Sequence, residues 1–203
     1  MSFAQYSMAC YMDIKEKWNE RYSAAQDELH AAQVLRENLH LLPERGRALD
    51  LACGLGANAI LLAKQGLQVE AWDIADVAVA SLQQTALRRQ LSIQAEVRDV
   101  ETYPPDPGTF DVIVVSYFLA RGIIPALIQA LGPGGLIYYQ TFTQQRVSDR
   151  GPQQTKFRLA EQELLQLFSG LQVVFYREEG RIGDVRKGCR DEAMYIGRKT
   201  EFC

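Results

Sequence analysis

Short apolar runs alternate along the chain with stretches whose apolar residues recur at helical spacing. Residues 48–53, 68–73, 93–97, 110–116, 136–142, 171–177 and 193–198 read as strands, bounded by polar residues and turn formers. Residues 58–65, 77–90, 125–131 and 160–168 between them read as helices. Upstream, Ala25, Leu29, Ala32, Leu35, Leu39 and Leu42 predict one amphipathic helix over residues 23–42. Ser23 followed by Gln26 would be its capping box, and residues 43–46 (Pro-Glu-Arg-Gly) would end it.

Strands that alternate with helices need crossover connections. The pattern therefore predicts an α/β fold with a mainly parallel sheet and helices on both faces. Three prolines within residues 103–108 exclude helix and central strand there and predict a loop.

Composition changes this picture little. The chain has 203 residues, 47% hydrophobic and 23% charged, with a net charge of −3. These values predict one soluble domain over residues 1–203, divided into a helical segment (1–46) and a sheet-bearing core (47–203). No apolar run approaches the ~20 residues that span a bilayer, and the first residues lack a signal-peptide pattern. The slightly acidic balance gives no general attraction to nucleic acid or anionic lipid. Cys10, Cys53, Cys189 and Cys203 are scattered, which predicts reduced thiols, a cytoplasmic location and no metal cluster. His30 and His40 fall in the predicted helix and read as packing or surface residues.

The candidate chemistry begins at the end of the first strand. Asp50-Leu51-Ala52-Cys53-Gly54-Leu55-Gly56-Ala57-Asn58 runs from an apolar strand into a helix. Glycines at that point let a ligand approach the backbone, and the helix N-terminus adds N–H donors. Asp50 precedes the turn and could accept from a ligand hydroxyl or pair with an ammonium group. Asp73 ends the second strand, 19 residues after Gly54, the spacing of a carboxylate that holds ribose hydroxyls. Asp99 ends the third strand and could accept from an adenine amino group.

These residues in order, with Leu131-Gly132-Pro133-Gly134-Gly135, resemble the motifs of class I S-adenosylmethionine-dependent methyltransferases over about residues 45–200. The segments Asp50–Asn58, Glu70–Asp73 and Glu161–Glu179 are most similar to the tellurite-resistance and thiopurine-type methyltransferases, and residues 18–22 to their N-terminal covering element. The resemblance implies a three-layer α/β/α sandwich around a seven-stranded Rossmann-like sheet whose last strand is antiparallel, inserted beside the sixth. It implies S-adenosylmethionine as cofactor and S-adenosylhomocysteine as product. Gly54 and Gly56 would face the methionine part and Asp73 the ribose. Asp99 would face the adenine, with Ile74 and Val100 packing on the ring. Ser116 and Tyr117 would face the reacting methyl group, or be ordinary strand-end packing. Trp18 and Tyr22 would either cover the cofactor or staple the first helix. Cys53 would be a packing residue rather than a nucleophile.

The implied acceptor is a small molecule of thiol, thiopurine or metalloid oxyanion type, with the chain as monomer or homodimer. Val115-Ser116-Tyr117-Phe118 lacks the two prolines of nucleic-acid amino methyltransferases, so a nucleic-acid acceptor is not favoured. The link over residues 143–157 holds Arg146 and Arg150 and is either a solvated loop or a lid for an anionic acceptor. Arg181, Arg186, Lys187 and Arg190 would add to that field. Two other readings stay open. One is a non-catalytic S-adenosylmethionine-binding regulatory protein. The other is a nicotinamide-dependent reductase, for which the two Tyr-x-x-x-Lys matches at Tyr11 and Tyr195 are badly placed.

Overall fold

The computed structural model describes residues 14–24 and 30–200. A helix over residues 14–23 (α1) is followed by α2 (Gln33–Glu37) and a 3-10 turn at Leu39–Leu41. The alternating part follows as β1 (Arg47–Leu51), α3 (Ala57–Lys64), β2 (Gln68–Asp73), α4 (Asp76–Arg89), β3 (Ile93–Val97) and β4 (Phe110–Ser116). Then come α5 (Ile124–Ala130), β5 (Leu131–Phe142), α6 (Glu163–Leu167), β6 (Gln172–Glu178) and β7 (Glu192–Arg198).

The seven strands form one sheet in the order β3-β2-β1-β4-β5-β7-β6. Strands β1 to β5 pair in parallel, while β7 inserts antiparallel between β5 and β6. Strand alternation sends side chains to two cores. Leu49, Leu51, Ile113, Val115, Ile137 and Tyr139 pack with α5 and α6 on one face. Ala48, Val69, Val112, Val114 and Tyr138 pack with α2, α3 and α4 on the other. The result is the predicted three-layer sandwich. Asp76 in the first turn of α4 and Arg88 and Arg89 in its last complement the helix dipole. Pro125 lies in the first turn of α5, where its missing N–H costs nothing. Among the described residues, no helix is long and apolar enough to cross a membrane.

Two expectations are corrected. No single helix runs over residues 23–42. Ser23 lies in the last turn of α1 rather than capping a new helix, and Gln26 lies outside the described residues. Ala32 is extended, with φ −54° and ψ 141°, and α2 begins after it. The local apolar period is overridden by distant side chains: Asn58 Oδ1 accepts the Ala32 amide at 2.8 Å, and Gln140 Oε1 accepts the Val34 amide at 2.8 Å. The fifth strand begins at Leu131, not at residue 136. Leu131 pairs with Phe110 ahead of the glycines, with an irregularity before Val112 meets Leu136.

Candidate active site

The order of the sheet reverses direction between β1 and β4, and their carboxyl ends open the crevice where ligands bind in such folds. The predicted residues gather there. After β1 the chain turns through Ala52 (φ 54°), Gly54 (φ 52°) and Gly56 (φ 80°), all left-handed. A Cβ on Gly56 would lie 2.4 Å from Leu82 Cδ1, so Gly56 lets α3 pack against α4. A Cβ on Gly54 would lie 2.8 Å from Tyr22 Oη, so α1 lays its tyrosine directly over this turn.

The acids at the strand ends hold the backbone of the site. Asp73, 5% exposed, accepts the Gly54 amide at 2.8 Å on one oxygen and the Ala75 amide at 2.9 Å on the other. Burial pushes its carboxyl above the ordinary carboxylate range, and the amide bonds pull it partly back. Asp50 is fully buried. Its carboxylate accepts the Ala59 amide in the first turn of α3 at 3.0 Å and Asn58 Nδ2 at 3.2 Å. Burial raises its pKa from 3.8 to about 7, opposed by the bonds from Asn58 and Ala59. Asp99 accepts the Glu101 and Thr102 amides at 3.1 and 3.4 Å and the Thr102 hydroxyl at 2.7 Å. Val100 beside it is buried and Ile74 half-buried.

Asn58 joins the pieces. Its amide donates to Asp50 and, at 2.9 Å, to Ser116 Oγ at the end of β4, while its oxygen holds Ala32. Tyr117 follows with φ 56°, a left-handed conformation uncommon for a bulky residue. Trp18 stacks on Tyr22 with centroids 5.7 Å apart, and α1 is docked through Lys15–Asp76 at 2.9 Å and Asn19 Oδ1 accepting the Val77 amide at 3.3 Å. Burial, then the Asp73 charge, raises the Tyr22 hydroxyl well above its usual value. Cys53 is buried, and burial holds its thiol far above the range of a nucleophile.

The two arginines of the 143–157 link part company. Arg150 reaches Glu192 Oε1 at 3.1 Å, beside Tyr117. Arg146 meets Gln153 at 3.0 Å, and its carbonyl accepts from Arg181. Arg186 pairs with Asp184, and Arg190 with Glu179. The link itself is pinned: buried Arg158 donates to the Thr143, Arg150 and Pro152 carbonyls, and Asp191 accepts the Val147 and Ser148 amides. Sequence reasoning missed Glu192, Arg158 and Asp191. The visible signal was an acidic pair, Asp191-Glu192, opening an otherwise apolar strand. Among the described residues, no cluster of three or more His, Cys, Asp or Glu could hold a metal ion. A hollow of about 410 Å³ at the opposite ends of the strands, by Pro43, Asp111 and Gly134, contains none of the predicted site residues.

Residues 48–135 match the family described as a methyltransferase domain. The match covers the glycine turn and all four strand ends described above. The chain is 27% identical over 125 residues to the putative methyltransferase YqeM of Bacillus subtilis, covering 56% of this chain and 49% of that protein. It is 29% identical over 144 residues to a ubiquinone biosynthesis O-methyltransferase of Albidiferax ferrireducens, covering 66% and 57%. The chain thus spans about half the length of these relatives. Among solved structures, the fold is similar to TehB from Haemophilus influenzae, with a TM-score of 0.67, 22% identity, and coverage of 92% of this chain and 67% of that one.

Proposed function

We propose that the protein is an S-adenosylmethionine-dependent methyltransferase acting on a small-molecule acceptor. The observation that carries this reading is the Gly54–Gly56 turn tied to Asp73 at the sheet reversal, within the residues that match a methyltransferase domain. The residues fit the cofactor. Gly54 brings bare backbone to the turn with only the end of the Tyr22 side chain over it, and Asp73 keeps acceptor capacity beyond the Gly54 and Ala75 amides. Gly54, Gly56 and Asn58 would line its amino-acid end, with Asp50 fixing the turn from beneath. Asp73 would hold the ribose, and Asp99, Ile74 and Val100 the adenine. Trp18 and Tyr22 would cover it, making residues before 47 the lid of a single domain.

When bound, the cofactor supplies a methyl group on a positively charged sulfur. The chain then has to align an acceptor at Ser116 and Tyr117 and exclude water, which makes the step effectively unimolecular. The finer reading, a thiol, thiopurine or metalloid oxyanion acceptor drawn in by Arg150 and Arg146, rests on the family resemblance. A screen of labelled methyl transfer to thiols, thiopurines, tellurite, selenite, catechols and bulk RNA tests it. Transfer to a small acceptor is expected. Transfer to RNA alone would contradict the reading. Binding of S-adenosylhomocysteine with transfer to nothing, and a stable partner on purification, would favour a regulatory cofactor-binding protein.

A further inference from the structure

One buried carboxylate at this end of the sheet has no part in the cofactor turn. Glu192 opens β7 opposite Phe142 and is 4% exposed. Its Oε2 accepts Gln140 Nε2 at 2.5 Å and the Tyr117 hydroxyl at 3.3 Å, and its Oε1 meets Arg150 at 3.1 Å. The Gln140 amide is itself oriented, because its oxygen holds the Val34 amide. The carboxylate is therefore aimed at Tyr117 by a fixed partner. Tyr117 is 46% exposed, its ring 5.2 Å from that of Phe142 at a 38° tilt. One face of a planar acceptor could lie against this aromatic wall. Burial, then the Glu192 charge, pushes the Tyr117 hydroxyl well above its usual value, which keeps it a protonated donor to Glu192. Its left-handed backbone is a strain of the kind that gathers at working sites.

Resting on the methyltransferase reading, we infer that Tyr117 and Glu192 form a proton relay for a neutral hydroxylated aromatic acceptor, a phenol or catechol. A thiolate or metalloid oxyanion has no proton to lose and needs no such pair. A phenol does. In the step, the acceptor oxygen bonds to the methyl carbon as the donor's carbon–sulfur bond breaks, that electron pair staying on sulfur. The acceptor's proton passes to Tyr117 Oη, and the Tyr117 proton to Glu192 Oε2. The products are the thioether, the methyl ether and a neutral Glu192, so the positive charge of the sulfonium and the negative charge of the carboxylate vanish together. Tyr117 is the catalytic residue, and Glu192 acts through it as a positioning residue and final proton acceptor.

The test uses the full chain, with catechol and 4-nitrocatechol as probes. Tyr117→Phe and Glu192→Gln keep the shapes of the side chains but break the relay. Each should slow methylation of catechol by about 100-fold or more, the usual size of a general-base contribution. Each should leave methylation of 4-nitrocatechol within a few-fold when the assay pH already ionises that probe. A second readout is the pH profile. The loss caused by Glu192→Gln on catechol should shrink as the pH climbs through the ionisation of free catechol, because the ionised acceptor has no proton to pass on. A loss that stays constant across that range would count against the relay. Equal losses on both acceptors in folded variants would make the pair structural and overturn the relay. Failure of the wild type to bind or methylate either catechol, while it still binds S-adenosylhomocysteine, would overturn the acceptor class and leave the methyltransferase reading standing. Failure to bind S-adenosylhomocysteine would overturn both.

Discussion

The Asp73 carboxylate accepts the amide of Gly54 at 2.8 Å, across 19 residues of chain. The spacing that suggests a ribose-binding acid is thus also the length of the α3–β2 excursion that returns the chain beside its own glycine turn. One side chain shapes the turn and presents the remaining acceptor capacity to a ligand.

Asp73→Ala should therefore cost stability as well as cofactor affinity. Its carboxylate is buried and holds the Gly54 and Ala75 amides, so it supports the turn as well as the ligand. Each amide left without a partner costs about 1–3 kcal/mol. Affinity for S-adenosylhomocysteine should fall roughly tenfold or more, at about 1.4 kcal/mol per decade. Asp73→Asn keeps one acceptor oxygen and should lose less of both. Urea unfolding and calorimetric titration of the two variants measure the two effects separately.

The two glycines should fail differently. At Gly56 an alanine meets the buried Leu82 at 2.4 Å and holds a left-handed φ. Strain of about 1–2 kcal/mol and overpacking of about 1–3 kcal/mol should lower the melting temperature clearly. At Gly54 (φ 52°) an alanine bears the same left-handed strain, but the steric obstacle is only the end of the Tyr22 side chain, which can swing aside with α1. Gly54→Ala should then melt closer to the wild type but bind S-adenosylhomocysteine much more weakly. Thermal melts with and without that ligand compare the pair.

Asp50 sets a pH dependence of stability. Its folded pKa, raised by burial to about 7, exceeds its ordinary 3.8, so the folded chain holds this proton more tightly than the unfolded one. The contribution is complete below pH 3.8 and is lost as pH climbs to about 7. Asp73 is shifted in the same direction. Asp50→Asn should flatten the decline in unfolding free energy across that window. An unchanged slope would mean that other groups dominate it.

Helix α1 should be the weakest part of the site. Among the described residues its ties to the core include the exposed Lys15–Asp76 ion pair, a long hydrogen bond from the Val77 amide to Asn19 and the Tyr22 contact, and such exposed pairs are worth about 0–1 kcal/mol. Trypsin should cut at Lys15, Lys17 or Arg21 before it cuts the sheet, more slowly when S-adenosylhomocysteine is bound. Tyr22→Ala should speed that cleavage without moving the main melting transition. Cleavage indifferent to the ligand would detach α1 from the cofactor site.

Much of this was legible in the sequence. Strands β2, β3 and β4 were bounded to the residue, because each is an apolar or alternating run closed by polar residues. The glycine turn and the acids at the carboxyl ends of β1 and β2 and just past β3 announced themselves by residue type and order. What stayed hidden was set by contacts far along the chain. Asn58 and Gln140 hold the Ala32 and Val34 amides from 26 and 106 residues away, so Ala32 is extended and the helix starts only at Gln33. Glu192 meets Gln140 across 52 residues and Tyr117 across 75. No local period records such pairings. The antiparallel insertion of β7 was legible only through family resemblance, since residues 193–198 read alike in either direction.

The most direct measurement is calorimetric titration of the full chain with S-adenosylhomocysteine, with NADH and NADPH run in parallel. The account predicts saturable binding of S-adenosylhomocysteine, weakened roughly tenfold or more by Asp73→Ala, and no binding of either nicotinamide. Binding of NADH or NADPH with none of S-adenosylhomocysteine would contradict it.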